Sequence, residues 1–461
     1  MKRLNGMDAM LLYSETPNLH THTLKVAVID PGATLFGFEA FRRHLIERLH
    51  LLEPLRYRLV EMPWRLGHPM WQQNCDLDLD YHLRRVRIPA PGGRRELDQV
   101  IGGIASTPLN RSRPLWEFHF AEGLAGGRFA VIGKVHHSLA DGVASANLLA
   151  RMMNLVEITT ADCENDCTTG TLDLLRATVS EQLRQLAALP GLVRDAARGA
   201  ARVRRRTRER GDHPDLATTF DAPPTFLNNH VVSPQRRFAS AALPLADVKA
   251  TAAEFGVTIN DLILSMAAGG LRTLLLDYDG VADRPIIASV PTATDKSDRV
   301  TGNEISGLSV SLPVHVADPI KRLRLVALAT RFAKEDHEIL GPTLYGRMMS
   351  YLPAAIAPAM FRWLARRDAP NRIMNVAVSS VMGPRRRGDF AGAPVSEIYS
   401  TGVLSPAAPV NITVWSYADQ VGIAVLTDDQ TFTDAHDATS ALTAAFDELR
   451  SATALYASLT A

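Results

Sequence analysis

The chain has 461 residues, with 50 Lys and Arg against 49 Asp and Glu for a formal net charge of +1. Its hydrophobic content of 46% and charged content of 21% exclude a largely disordered chain. The near-neutral balance removes any bulk electrostatic reason to expect nucleic acid as the partner. A length about three times the usual ~150-residue domain predicts two large domains with well-filled cores.

Three cysteines, Cys75, Cys163 and Cys167, cannot supply a disulfide framework for a chain this long, so a reducing compartment is expected. Cys163 and Cys167 stand in a polar stretch without nearby His and read as surface thiols rather than a metal site. The apolar run after Arg3 is too short for a signal peptide and is interrupted by Asp8. The longest uncharged apolar stretch, Met348 to Phe361, contains Pro353 and Pro358 and falls short of the roughly 18 residues that span a bilayer. The expected location is cytoplasmic, with no membrane crossing.

From residue 8 to about 160 strand-like and helix-like segments alternate, an α/β pattern. His20, His22, Leu24, Val26 and Val28 share one face of a predicted strand, and Phe38 to Leu52 has helical apolar spacing. A hairpin follows. Trp116, Phe118 and Phe120 alternate in its first strand, Gly123, Gly126 and Gly127 supply the turn, and Phe129 to Val135 form an apolar second strand that runs into His136 and His137.

These features predict a first half over residues 1–162, a helical Arg-rich connector over 163–228 and a second half over 229–461. The connector carries Arg194, Arg198, Arg202, Arg204, Arg205, Arg206, Arg208 and Arg210 before Gly211 and Pro214. Its basic face fits either a solvated linker helix or attraction to anionic lipid headgroups. In the second half a helix is predicted over Asp261 to Leu275. Strands are predicted at Pro285 to Val290, Val376 to Val381, Ile412 to Tyr417 and Val421 to Leu426. Two mixed α/β halves of similar size place a site at their junction.

The chemistry is concentrated in Lys134-Val135-His136-His137-Ser138-Leu139-Ala140-Asp141-Gly142. Successive strand residues face opposite ways, so the two imidazoles cannot both enter one site. His137, at the carboxyl end of the strand, is the candidate for chemistry, and His136 is the supporting residue. Taken singly, each piece has an ordinary structural reading as well: a buried hydrogen-bonded His, and Asp141 as the N-cap of a helix over Val143 to Met153. No third ligand completes a metal site, and no Gly-x-Ser-x-Gly elbow supports a serine hydrolase.

His136-His137-x-x-x-Asp141-Gly142 resembles the HHxxxDG signature of the acyltransferase group that includes chloramphenicol acetyltransferase and peptide-synthetase condensation domains. Several further segments narrow the resemblance. Pro114-Leu115-Trp116 is similar to a PLW motif and Asn260-Asp261 to an ND motif. The opening Met7-Asp8-Ala9-Met10-Leu11-Leu12, the Thr301-Gly302-Asn303 turn, Asp318-Pro319 with Arg322-Leu323, and Ser416-Tyr417 belong with them. Over nearly its whole length the chain resembles the bacterial wax ester synthase/acyl-CoA:diacylglycerol acyltransferase family. It departs from the family pattern at Ser379-Ser380-Val381-Met382-Gly383-Pro384, where an Asn and a Pro are missing, and at Thr292-Ala293-Thr294-Asp295.

The resemblance implies mixed α/β sheets in two chloramphenicol-acetyltransferase-like domains, with a substrate channel at their junction. It also implies transfer of an acyl chain from acyl-CoA to diacylglycerol or a long-chain alcohol, with acyl-CoA as co-substrate and no cofactor or metal. Peripheral contact with an anionic membrane or lipid-droplet surface is a further expectation.

In that frame His137 is the general base, His136 supports it, Asp141 holds the turn through an unidentified Arg, and Gly142 allows close approach of backbone or substrate. Asn260, Asp261 and Trp116 are the candidate substrate-binding residues. Asn260 also fits an N-cap signal, and Trp116 also fits a packing role. Met348, Met349, Leu352, Ile356, Met360, Phe361 and Trp363 fit either a lining for long acyl chains or core. A related transferase acting on another alcohol or on a carrier-bound donor, and a non-catalytic lipid- or partner-binding relative, are the alternatives.

Overall fold

The computed structural model describes residues 1–156, 171–367 and 371–460. Cys163 and Cys167 lie outside the described residues. Two six-stranded mixed sheets organise the chain. The first runs, edge to edge, Asp389–Phe390, Ala393–Ser400, His22–Ile29, Arg128–His136, Trp116–Leu124 and Leu83–Arg87. The second runs Ile305–Leu312, Ile286–Ala293, Val376–Met382, Val410–Tyr417, Gln420–Asp428 and Arg236–Pro244. Val376–Met382 is parallel to both of its neighbours, and Leu83–Arg87 is parallel to Trp116–Leu124. The mixed α/β expectation is met.

The predicted hairpin forms between Trp116–Leu124 and Arg128–His136, turning through Gly126 and Gly127 at φ 76° and 70°. That left-handed backbone is open to glycine at little cost. The connector is helical over Thr171–Arg210. Its end docks on the helix Pro319–Leu340, where Arg206 and Arg210 reach Glu335.

Two strands of the second half complete the first sheet: Ala393–Ser400 pairs with His22–Ile29, and Asp389–Phe390 pairs with Ala393–Ser400 at the edge. They bring Phe390 into the first half's aromatic cluster, where it meets Phe41 edge-on at 5.6 Å, and Trp415 and Tyr417 are buried in the same cluster. Each such fully buried aromatic contributes roughly 1.5–3 kcal/mol, so the two halves share one core rather than touching at a polar seam.

The second sheet is covered by helices that include Ile259–Tyr278, which is long and apolar enough to cross a membrane. Here it is a core helix. Leu262, Leu264, Ala267, Leu271 and Leu274 are buried against the sheet and its neighbouring helices.

Candidate active site

The strand Arg128–His136 pairs antiparallel with His22–Ile29, His136 opposite His22. The pairing extends one residue further, because the His137 N–H donates to the Thr21 carbonyl at 2.8 Å. With a side-chain period of two, His137 continues the row Val131, Gly133, Val135, and His136 faces the opposite side with Lys134 and Ile132. The structure therefore separates the two imidazoles as the strand period requires.

His136 is fully buried and both of its ring nitrogens are engaged, Nε2 at 2.8 Å from Thr21 Oγ1 and Nδ1 at 2.7 Å from Ser138 Oγ. Glu15 lies behind it, 3.8 Å from Nε2. This ring holds the strand end and has no nitrogen left for a substrate.

His137 is only half-buried, and its Nδ1 lies 2.9 Å from Oδ1 of Asn303. Asn303 is itself buried, and its Nδ2 has two acceptors, Asp8 Oδ1 and the His137 carbonyl, each at 2.7 Å. That nitrogen must be the donor atom, so Oδ1 is an acceptor and Nδ1 of His137 carries the proton. The lone pair is then on Nε2. Burial pushes the His137 pKa below its ordinary 6.5, and the nearby Lys25 ammonium pushes the same way while Asp141 and the Asn303 hydrogen bond oppose it. The ring is held neutral with a free basic nitrogen.

Asp141 caps the helix Gly142–Met152 by accepting from the Ala144 N–H at 3.0 Å. Its second oxygen pairs with Arg299 and accepts from the Glu304 N–H at 3.0 Å. Arg299 also donates to the Gly302 carbonyl at 2.7 Å. The arginine expected for Asp141 is thus Arg299, on the loop that joins two strands of the second sheet. This loop also bridges Ala140 through Gly302, whose φ of +84° is a left-handed conformation suited to glycine. Asn303 follows directly, so the clasp on Asp141 also places the group that orients His137.

A largely apolar cavity opens on the face of the sheet that His137 shares. It is lined by Leu52, Leu55, Phe118, Val131, Val135 and Leu149 among others. A second, polar cavity lies on the His136 side, with Glu15, Glu61, Arg65, Arg111 and Arg362 in its wall.

Residues 4–263 match the wax ester synthase/diacylglycerol acyltransferase catalytic domain, and residues 301–450 match the WS/DGAT C-terminal domain. The chain belongs to this acyltransferase family.

A Mycobacterium tuberculosis H37Rv protein provisionally named a diacylglycerol O-acyltransferase is 51% identical over 100% of this chain and 98% of its own length. Another from that strain is 34% identical over 93% of this chain and 92% of its own. The solved wax ester synthase/diacylglycerol acyltransferase from Marinobacter aquaeolei VT8 superposes with a TM-score of 0.70 at 25% identity, covering 98% of this chain and 100% of that one. The starter condensation domain of rhizomide synthetase shares the fold, at a TM-score of 0.58 and 13% identity over 98% of this chain and 94% of that one. The architecture is the two-domain chloramphenicol-acetyltransferase-like fold, and the protein is an acyltransferase.

The remaining motif residues of the family fall in different places. Trp116 is fully buried, stacks on His82 at 4.2 Å and donates its indole N–H to the Leu55 carbonyl at 2.7 Å. It lies in the core and lines neither of these two cavities, and its contacts are those of the packing role. Asp261 closes a capping box with Thr258, accepting from its hydroxyl at 2.6 Å, which accounts for that residue as a helix start. Asn260 is half-buried on the first turn of the same helix and lines neither cavity. A Cβ at Gly142 would meet Val381 of the second half at 3.2 Å, so the close approach there is between the two halves.

The apolar stripe from Met348 to Trp363 does not line the apolar cavity either. Leu352 and Phe361 pack against Ala9 and Tyr13, and Met348, Ile356 and Trp363 are exposed. Asn303, Arg299, Asp8 and Lys25 were not among the candidate site residues. For Asn303 and Asp8 the available signal was their place in segments already resembling the family.

Proposed function

We propose that this acyltransferase moves a long-chain acyl group from acyl-CoA to the free hydroxyl of diacylglycerol, and also to long-chain alcohols, by direct attack in a ternary complex. The observation that carries the reading is His137, whose Nδ1 is engaged by Asn303 so that Nε2 is left as the acceptor, on the sheet face that bears the apolar cavity. A hydroxyl is scarcely ionised at neutral pH, so its oxygen becomes nucleophilic only as a base takes its proton.

His137 Nε2 accepts that proton while the oxygen bonds to the thioester carbon. The C–S bond then breaks, and the imidazolium returns the proton to the departing CoA sulfur. General-base help of this kind supplies roughly 10²–10⁴-fold, and the remainder comes from alignment of the two substrates. Asp141 acts through Arg299 and the loop rather than on the substrate.

Arg65 and Arg362 give the second cavity cationic groups for the phosphates of the CoA moiety, in a wall that also holds Glu61 and the paired Glu15 and Arg111, and the apolar cavity suits an acyl chain. Exposed Ile356 and Trp363 beside Arg362 and Arg366, together with the exposed arginines of the connector helix, support peripheral contact with an anionic lipid surface from the cytoplasmic side. The deciding measurement uses palmitoyl-CoA with diacylglycerol, hexadecanol or no acceptor, with products identified by mass. Triacylglycerol or wax ester formation is the expected result, and product with neither acceptor overturns the reading.

A further inference from the structure

Lys25 projects from the strand His22–Ile29 into the wall of the apolar cavity, among Ala27, Leu55, Phe118 and Val131. It is the one charged side chain in that lining. No carboxylate among the described residues comes within ion-pair distance of it, Asp141 acts on it only at longer range, and its ammonium lies 5.4 Å from the centre of the Trp415 ring. It stands opposite Gly133, four residues before His137 along the same face. At ~3.4 Å per residue the two backbone positions are about 14 Å apart. The cavity lining runs from Val135, two residues from His137, past Gly133 to Val131, with Lys25 opposite its middle, so a chain laid along it from the His137 end meets the ammonium part-way.

Resting on the acyl-transfer reading above, we propose that Lys25 is a specificity-determining residue. It favours donors whose acyl chain carries a hydrogen-bond acceptor, a hydroxyl or keto oxygen, part-way along over donors with a plain alkyl chain.

A plain chain filling the cavity strips the ammonium of its remaining water and offers nothing in exchange. An oxygen at the right carbon supplies the missing partner. A hydrogen bond to a charged group in apolar surroundings corresponds to roughly a tenfold to hundredfold preference.

The test uses the full chain and CoA thioesters of one length, unsubstituted or carrying a single hydroxyl or keto group at successive positions. The wild type is expected to prefer at least one oxygenated donor in kcat/KM by that factor. Lys25→Met, which keeps the stem and removes the charge, is expected to reverse the order, and Lys25→Arg to restore it. An unchanged ratio in Lys25→Met overturns the proposal, as does an equal slowing of every donor, which marks a role in the transition state instead. Calorimetric binding of the corresponding thioether analogues separates this idea from acyl transfer itself. Equal preference in wild type and Lys25→Met sinks the specificity claim whether or not turnover occurs. Absent turnover with an intact, Lys25-dependent binding preference sinks the acyl-transfer reading alone.

Discussion

Asn303 Oδ1 and His137 Nδ1 meet at 2.9 Å across the junction of the two halves, so the second half decides which nitrogen of the first half's imidazole is basic. Asn303→Ala releases the ring to either tautomer. A fall in kcat of roughly 10–10³-fold is expected, with a smaller change in KM. The same substitution leaves the buried Asp8 without one of its donors, a stability cost of about 1–3 kcal/mol that urea denaturation would register.

The two histidines of the motif separate by readout. His137→Ala is expected to lower kcat by about 10²–10⁴-fold with an unchanged circular dichroism spectrum and melting temperature. His136→Ala removes a buried ring that serves Thr21 and Ser138, and it is expected to lower the melting temperature while retaining much of the turnover. Full activity in the His137 variant would remove the proposed base.

The Asp141–Arg299 pair is buried on the Asp141 side and carries the loop that presents Asn303. Breaking it from either side leaves an uncompensated charge, about 3–5 kcal/mol for Asp141→Ala or Arg299→Ala. The double variant should cost clearly less than the sum of the two. A double-mutant cycle in urea checks this, and strict additivity would mean that the two groups do not act as a pair.

The base must be unprotonated, so kcat/KM falls as pH drops through the His137 pKa in the free enzyme. Burial and Lys25 both lower that pKa, which places the acid limb below the ordinary imidazole value of 6.5. Lys25→Met takes away one of the lowering causes, and the limb should move up toward 6.5. Burial also brings Lys25 itself down to about 8, so wild type should show a second, alkaline change near that value that Lys25→Met lacks. A limb above 6.5 in wild type would contradict the assigned surroundings of His137.

Much of the fold was legible from periodicity. The helix Ile259–Tyr278, the hairpin that ends at His136 and the strands Val410–Tyr417 and Gln420–Asp428 lie where their apolar patterns place them. Leu83–Arg87 escaped because three of its five residues are arginine and it lies at a sheet edge, where one side needs no apolar partner. Ala393–Ser400 escaped for another reason. It shows little alternation, and its partner His22–Ile29 lies more than 360 residues earlier in the chain. In the site, the divergence of His136 and His137 follows from a strand's period of two, and Asp141 as an N-cap follows from a carboxylate placed before a helix.

The amino-acid sequence by itself determined that one imidazole of the pair faces away from the other, that a capped helix follows it, and which family's motifs surround it. These are local properties, set by neighbours within a few residues. Only the tertiary structure decided that Arg299 holds Asp141, that Asn303 holds His137, and that Lys25 stands in the cavity wall. The partners in the two clasps are 158 and 166 residues apart, and no periodicity reaches that far. Such contacts exist because two sheets that share a buried core bring one loop of the second half against the strand end of the first.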